Sequence, residues 1–541
     1  MFNKIRQHIV EHKFLSLLFA NCLFFIIAAC LLPIRFEEND DVIMLLFASG
    51  KYTGTPEAHL VFINYIYGHV LKFLYSESPE IEWYSVLFAL INIISLSVIS
   101  WSILVKKRQQ NLYVIVFLII FYLLEIRFIE LFQFTTIAAI CALAGIILIL
   151  FNKNYQRAAG TILFILASLI RFDAAFLVLL IMSPVFLQFV FVKKKFVFAK
   201  PTGFLLVAIG FAFFFKFLDY RSLQNDKSWK YYIAYNKERG KINDNPNTAL
   251  LIQKLPSNIS NSDFDLLVGF LPDGKFMDLQ KLRLINSKLN IVPFKGKIAH
   301  IPNSLWSYKF FLVALTIACL GLIYTNPLRI NKIILLITLI VFFFILFYIS
   351  LNASPKARVF LSAILPLLYV MFYTTKKEIN KRINFLFLTG ITFFTVLFIK
   401  QNIFTWNSST NYRQTEFAQQ KTLLKEYLQN KKNTVVPVAD AFHIEYFPVF
   451  ATSKHFKDNQ IFFSGWTTNI PFNYSNFTSY LDLINNHALF LGKDAYQWIV
   501  SNLKKSIQDN YRINVVPEIQ VESKDYVIVK LLSDSTLVYN E

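Results

Sequence analysis

Hydrophobic residues along this 541-residue chain gather into long runs separated by short polar segments. The runs cover 14–33, 84–105, 111–126, 130–151, 157–170, 174–192, 197–218, 307–325, 333–351, 359–374 and 384–400. Most approach the roughly 20 residues that a helix needs to cross a hydrocarbon core of about 30 Å. The pattern predicts eleven spans. Arg171 and Asp173 interrupt the stretch from 157 to 192 and leave its first half short, which fits a tight hairpin or a re-entrant pair. The predicted fold class is mainly α: a polytopic transmembrane helical bundle followed by a small extracytoplasmic α/β domain.

Between the runs lie three large polar segments, 34–83, 219–306 and 401–541. In the first, "DDVIMLLFASG" and "EAHLVFINYIYGHVLKFLY" place apolar residues at helical spacing, predicting amphipathic helices that lie along the membrane interface. In the second, Ser262 and Asp265 of "NSDFDLLVGFLPDG" fit a capping box, so Asp263 and Asp265 read as helix-start residues rather than catalysts. The third predicts a helix at "EFAQQKTLLKEYLQ", a strand at "NTVVPVAD", a helix at "SYLDLINNHALFL", and paired strands at "RINVVPEIQVES" and "KDYVIVKLL". The predicted organisation is a membrane domain over 1–400, with outer loops 34–83 and 219–306, and an extracytoplasmic domain over 401–541.

Composition supports this division. A chain that is 55% hydrophobic, 17% aromatic and 16% charged cannot hide its apolar surface as a soluble globule. The formal charge of +20 concentrates in alternate loops, among them "KKRQQN" at 106, "VKKKF" at 192 and "KKEINKR" at 376. Short cytoplasmic loops accumulate such charge, which predicts a cytoplasmic N-terminus and an extracytoplasmic C-terminus. The charge is thereby explained as a topology signal, not a nucleic-acid surface. The first run ends in a lipobox-like Ile27-Ala28-Ala29-Cys30, but it is longer than a signal-peptide core, and an uncleaved helix is predicted. Cys22, Cys30, Cys141 and Cys319 all fall in predicted spans, leaving no disulfide or thiolate metal site outside the membrane. No GxG, GxxxxGK[ST], HExxH or GxSxG string occurs, so a soluble nucleotide is not the expected substrate. Gly50 and Gly54 in "SGKYTG" have the spacing of a close-packing pair.

The chemistry concentrates in "RFEENDDVIM", where Glu37, Glu38, Asp40 and Asp41 follow the first span directly. An acidic first loop beside the membrane, interfacial helices after it, many spans and an outer C-terminal domain resemble the GT-C class of membrane glycosyltransferases. The plan is similar to that of the protein O-mannosyltransferase and lipid A aminoarabinose transferase branches. No WWDYG-like string occurs, which sets the chain apart from the oligosaccharyltransferase branch. The resemblance implies transfer of a sugar from a polyprenyl-phosphate donor to a hydroxyl of a glycan, lipid or protein acceptor on the extracytoplasmic side of a bacterial inner membrane.

In such an inverting transfer a carboxylate takes the acceptor proton, and Asp40 or Asp41 is the expected base. The leaving phosphate needs compensation by Lys or Arg, or by a divalent cation held by carboxylates. Arg35, Arg171, Lys356 and Arg358 are outward basic residues against the topology trend; each reads as a phosphate ligand, or as a snorkelling side chain or acid partner. Glu37, Glu38 and His59 are the candidates for a metal or acceptor site, with a structural role open for His59 and for His443. Glu125, Arg127 and Glu130 are expected in the outer turn between spans three and four, as an ion pair or part of the donor pocket. A lipid-linked glycan flippase or transporter, a glycan polymerase and a non-catalytic scaffold are the rival classes.

Overall fold

The computed structural model describes residues 14–105, 111–151, 153–188, 200–245, 248, 255–289, 308–326, 328–352, 356–375, 381–400, 405–430, 434–438, 441–456, 460–472 and 479–534. Helix α1 (Phe14–Leu31) leads into a two-residue strand, β1 (Arg35–Phe36), then α2 (Asn39–Ser49) and α3 (Tyr65–Glu77). Next come α4 (Trp83–Val105), α5 (Asn111–Glu130), β2 (Leu131–Phe132), α6 (Phe134–Ile149), α7 (Asn154–Ile170), α8 (Phe172–Met182) and α9 (Lys200–Asn225). Helices α10 (Lys227–Asn243), α11 (Asn261–Val268) and α12 (Leu279–Leu289) belong to the second polar segment. The bundle resumes with α13 (Lys309–Thr325), α14 (Arg329–Asn352), α15 (Ala357–Thr374) and α16 (Lys381–Ile399). All eleven predicted spans thus coincide with helices, of which α1, α4, α5, α9, α14 and α15 are by themselves long and apolar enough to cross a membrane. The molecule is a multi-pass helical membrane protein.

Helix α6 is the axis of the bundle. Every residue of it except Thr135 is buried, because Ala138, Ala139, Ala142, Ala144 and Gly145 let neighbouring backbones approach closely. The closest approach is to α7, where a Cβ on Gly160 would stand 2.5 Å from the Gly145 carbonyl oxygen. Helices α7 and α8 both pack on α6. They meet at Arg171, whose extended backbone (φ −152°, ψ 101°) separates two helical segments.

Three expectations need correction. Helix α2 does not lie along the interface: all residues from Asp41 to Ala48 are buried, because its apolar residues surround the axis instead of forming one stripe. Helix α3 is amphipathic, with Val70 and Phe73 exposed and Tyr67 and Leu71 buried; residues 57–64 ahead of it are not helical. Helix α11 is capped two residues earlier than the capping box predicts, by Ser260, whose hydroxyl accepts from the Asp263 N–H. Asp263 is nevertheless a helix-start residue, and its carboxylate accepts from Ser506 and Asn510.

In the tail, α17 (Thr405–Asn430) precedes β3 (Thr434–Pro437), α18 (Tyr480–Asn486), β4 (His487–Gly492), α19 (Lys493–Tyr511), β5 (Val515–Glu522) and β6 (Tyr526–Ser533). "HALFL" is therefore a strand and not the end of a helix; a short apolar run has no period that separates the two, and buried pairing decides it. The sheet order is β3-β4-β6-β5, parallel between β3 and β4 and antiparallel elsewhere.

The three polar segments assemble at one end of the bundle. Ser85 Oγ, at the head of α4, donates to the Val449 carbonyl (2.6 Å). Glu82 accepts from the Ser453 N–H (2.9 Å) and the Tyr75 hydroxyl (2.6 Å). Tyr232 of α10 donates to the Trp466 carbonyl (2.8 Å). The space they enclose is the cavity described next.

Candidate functional site

Two short pairings place the acidic loop. Arg35 and Phe36 pair in parallel with Leu131 and Phe132, and the Glu37 N–H donates to the Phe132 carbonyl (3.2 Å). The chain leaving α1 is thereby pinned to the junction of α5 and α6. Helix α2 then starts with Glu38 as its N-cap residue, so that Asp40 and Asp41 occupy the first turn, where the helix dipole favours negative charge.

A cavity of about 1500 Å³ opens beside this turn, lined by Glu38, Asn39 and Asp40, by Arg171, and by Lys356, Arg358 and Val359 at the head of α15. Ile349 and Leu351 of α14 and Leu177 of α8 extend the lining down between the membrane helices. From the opposite side come Asn236, Lys237, Arg239 and Asn243 of α10, with Phe463 and Trp466 of the tail. Five residues expected from the sequence, Glu38, Asp40, Arg171, Lys356 and Arg358, are gathered on this one cavity.

Their charges interlock. Arg358 Nη1 lies 2.6 Å from Glu38 Oε1, and Nη2 lies 3.9 Å from Asp40 Oδ2. Lys356 Nζ is 3.8 Å from the same Glu38 oxygen. Burial pushes the Asp40 carboxyl above the usual aspartate range; the Arg358 guanidinium pulls it back and the Glu38 charge raises it again. Arg171 is 3.7 Å from Asp173, and its guanidinium lies over the rings of Phe62 and Phe134 at 5.6 and 5.4 Å.

The other expected residues lie off the cavity lining. Asp41 is fully buried; one carboxyl oxygen accepts from the Tyr84 hydroxyl (2.9 Å) and the Phe134 N–H (3.1 Å). Burial holds its pKa well above the usual range against both hydrogen bonds, and it faces the interior because successive helical residues point about 100° apart. Of the two expected bases, Asp40 alone reaches the cavity. Arg35 donates to the Phe36 carbonyl (2.7 Å) and lies over the Tyr446 ring, which ties the acidic loop to the tail. Glu37 is also absent from the lining, and burial raises its pKa against the pull of Arg358, Arg127 and Arg35.

His59 is 3.3 Å from Glu57 Oε1 and 3.4 Å from Ser222 Oγ, with its ring stacked on Trp229. Burial would raise the Glu57 pKa, but hydrogen bonds from His59 and the Ala58 N–H bring it down to about 2. His443 lies between Glu416 (3.7 Å) and Glu445 (3.3 Å) in the tail. Arg127 pairs with Glu130 (3.0 Å), while Glu125 accepts from Asn92 (2.5 Å). All three belong to α5 itself, not to a turn, because the helix continues to Glu130.

Among the described residues no three His, Cys, Asp or Glu side chains converge as metal ligands. Glu38 and Asp40 share the Arg358 guanidinium, at 2.6 and 3.9 Å.

No model of a known protein family and no curated protein matches this chain. It is similar to ArnT. The solved structure is the crystal structure of ArnT from Cupriavidus metallidurans bound to undecaprenyl phosphate, at 11% identity and a TM-score of 0.39, covering 95% of this chain and 97% of that chain.

Sequence reasoning missed the α10 wall and the aromatic pair Phe463 and Trp466. "NKERGKIN" reads as a solvated charged face, which is the usual meaning of such a run. The available signal was Arg239 bracketed by Asn236 and Asn243, three residues before and four after, which places both amides beside the guanidinium on a helix.

Proposed function

We propose that this protein is a membrane glycosyltransferase that moves a sugar from a polyprenyl-phosphate donor to an acceptor hydroxyl, on the extracytoplasmic side of the membrane. One observation carries the reading: the partly buried carboxylate of Asp40 and the cations Arg171, Lys356 and Arg358 line one cavity whose wall continues onto apolar residues of the membrane helices. A lipid phosphate has its head at the polar boundary and its tail in hydrocarbon, which is the arrangement this wall accommodates.

In the proposed step the acceptor oxygen attacks the anomeric carbon while Asp40 takes its proton. The bond from that carbon to the phosphate oxygen breaks, and its electron pair stays on the leaving phosphate. Arg358 can offer two parallel N–H donors to phosphate and Lys356 a mobile point charge, so both compensate the growing negative charge. Glu38 positions Arg358 through the 2.6 Å contact. A single displacement of this kind inverts the anomeric configuration.

Purified protein given a radiolabelled polyprenyl-phosphate sugar and a mixture of membrane glycolipids and glycans is expected to release labelled sugar onto an acceptor. Movement of intact donor across a vesicle membrane without cleavage would instead indicate a flippase. A reporter fused after Glu541 is expected to be active outside the cytoplasm, and activity inside would overturn the proposed face.

A further inference from the structure

The two cationic walls of the cavity are compensated differently. Arg239 is 7% exposed. Its Nε and Nη2 donate to Asn236 Oδ1 (3.1 and 3.0 Å), and its Nη1 donates to Asn243 Oδ1 (3.0 Å). These partners are neutral amides, and Asn243 is itself anchored to the Leu267 carbonyl (3.1 Å). Among the described residues no carboxylate lies within ion-pair distance of Arg239, whereas Arg127, Arg171 and Arg358 each have one. Lys237, two residues away and on the same lining, likewise has none, while Lys241 is taken by Glu238 (2.8 Å).

An arginine cannot escape burial by losing its proton, so an uncompensated buried guanidinium is a standing cost. Three of its five N–H donors are used by the amides, which leaves two. The amides fix the plane of the guanidinium without cancelling its charge. A planar, pre-oriented cation on a cavity wall, with no carboxylate in ion-pair contact, is what recognition of a phosphate or carboxylate requires.

We infer that Arg239, assisted by Lys237, forms a second anion subsite that holds a phosphate or carboxylate borne by the acceptor, while Arg358 and Lys356 take the donor phosphate. This inference rests on the proposed transfer reaction for the word acceptor, but the anion subsite itself does not. The placement supports the division of labour: α15 carries Arg358 at the head of a membrane helix, where the lipid phosphate must sit, whereas α10, which follows α9 and packs on its end, is otherwise held by α11, α12 and the turn at Gly465–Thr467. An acidic acceptor held on α10 would then present its hydroxyl toward Asp40 across the cavity.

The test uses the full chain in lipid nanodiscs, with inorganic phosphate as the probe and intrinsic tryptophan fluorescence as the readout, since Trp466 shares the lining. Phosphate is expected to bind both before and after the protein is saturated with polyprenyl phosphate. Arg239→Gln should weaken the binding that survives saturation by roughly tenfold or more, the loss of one charged hydrogen bond, and Lys237→Gln, at an exposed position, should weaken it less. Arg239→Lys should retain part of it, which separates charge from folding. Equal phosphate binding by the unmodified protein and Arg239→Gln would overturn the subsite. Complete loss of phosphate binding on saturation with polyprenyl phosphate would overturn its assignment to the acceptor and give Arg239 to the donor. If polyprenyl phosphate fails to bind, the proposed transfer reaction falls, while Arg239-dependent phosphate binding would still uphold the anion subsite.

Discussion

The α2–α15 wall of the cavity and the α10 wall both present arginine, yet they solve the cost of burying it in opposite ways. Arg358 is held by Glu38 and faced by Asp40, so its charge is already matched and a phosphate that binds there competes with carboxylates of the protein. Arg239 is oriented by amides that leave its charge intact. The first arrangement suits a group that must be gripped and later released, because the carboxylates stand ready to take the guanidinium back. The second suits a group that simply has to be recognised.

The largest effect is expected from breaking the matched wall. Arg358→Ala leaves Glu38 without its closest cation and removes the fork for phosphate; truncating one member of such a pair costs about 2–5 kcal/mol, or more than about 30-fold in donor affinity. Isothermal titration with polyprenyl phosphate checks it, and Arg358→Lys should recover part of the loss. Donor binding unchanged in both variants would move the phosphate site to Arg171.

The neighbouring carboxylates sharpen the contrast within one helix turn. Asp41→Ala strands the Tyr84 hydroxyl and the Phe134 N–H in a buried site, at a cost of about 1–3 kcal/mol in stability. Asp41→Asn, whose amide oxygen can accept both bonds, should restore most of it. Thermal unfolding in detergent distinguishes the two, and per-molecule turnover by Asp41→Asn should be close to that of the unmodified protein. A collapse of turnover in a well-folded Asp41→Asn would place the base at Asp41 instead.

A smaller shift is expected in the pH profile. Asp40 must be unprotonated to act as a base, so activity is lost as pH falls through its pKa, which lies above the usual aspartate range. The Glu38 charge raises that pKa, so Glu38→Gln should move the acid limb of kcat/KM to lower pH. An upward shift would show that Glu38 does not act on Asp40 through its charge.

The sequence revealed the bundle more readily than the cavity, for a physical reason. Crossing a bilayer demands an uninterrupted apolar length, which is written locally, and all eleven runs became helices. The acidic loop was legible because four carboxylates beside an apolar boundary are costly and therefore informative. Which of Asp40 and Asp41 faces the cavity was not, since that depends on the burial of α2, whose apolar residues surround its axis. The α10 wall was hidden for the converse reason: a charged helix looks solvated until tertiary packing covers it, and only the flanking asparagines of Arg239 distinguish it from a surface residue. "HALFL" was misread because five apolar residues carry no period.

The central claim is that Asp40 does chemistry while Arg358 binds, and one paired measurement on Asp40→Asn tests it. Equilibrium binding of the polyprenyl-phosphate sugar to this variant should be close to that of the unmodified protein, while single-turnover sugar transfer should fall by about 10²–10⁴-fold, the usual contribution of a general base. Transfer at the unmodified rate, or loss of turnover matched by an equal loss of donor binding, would contradict it.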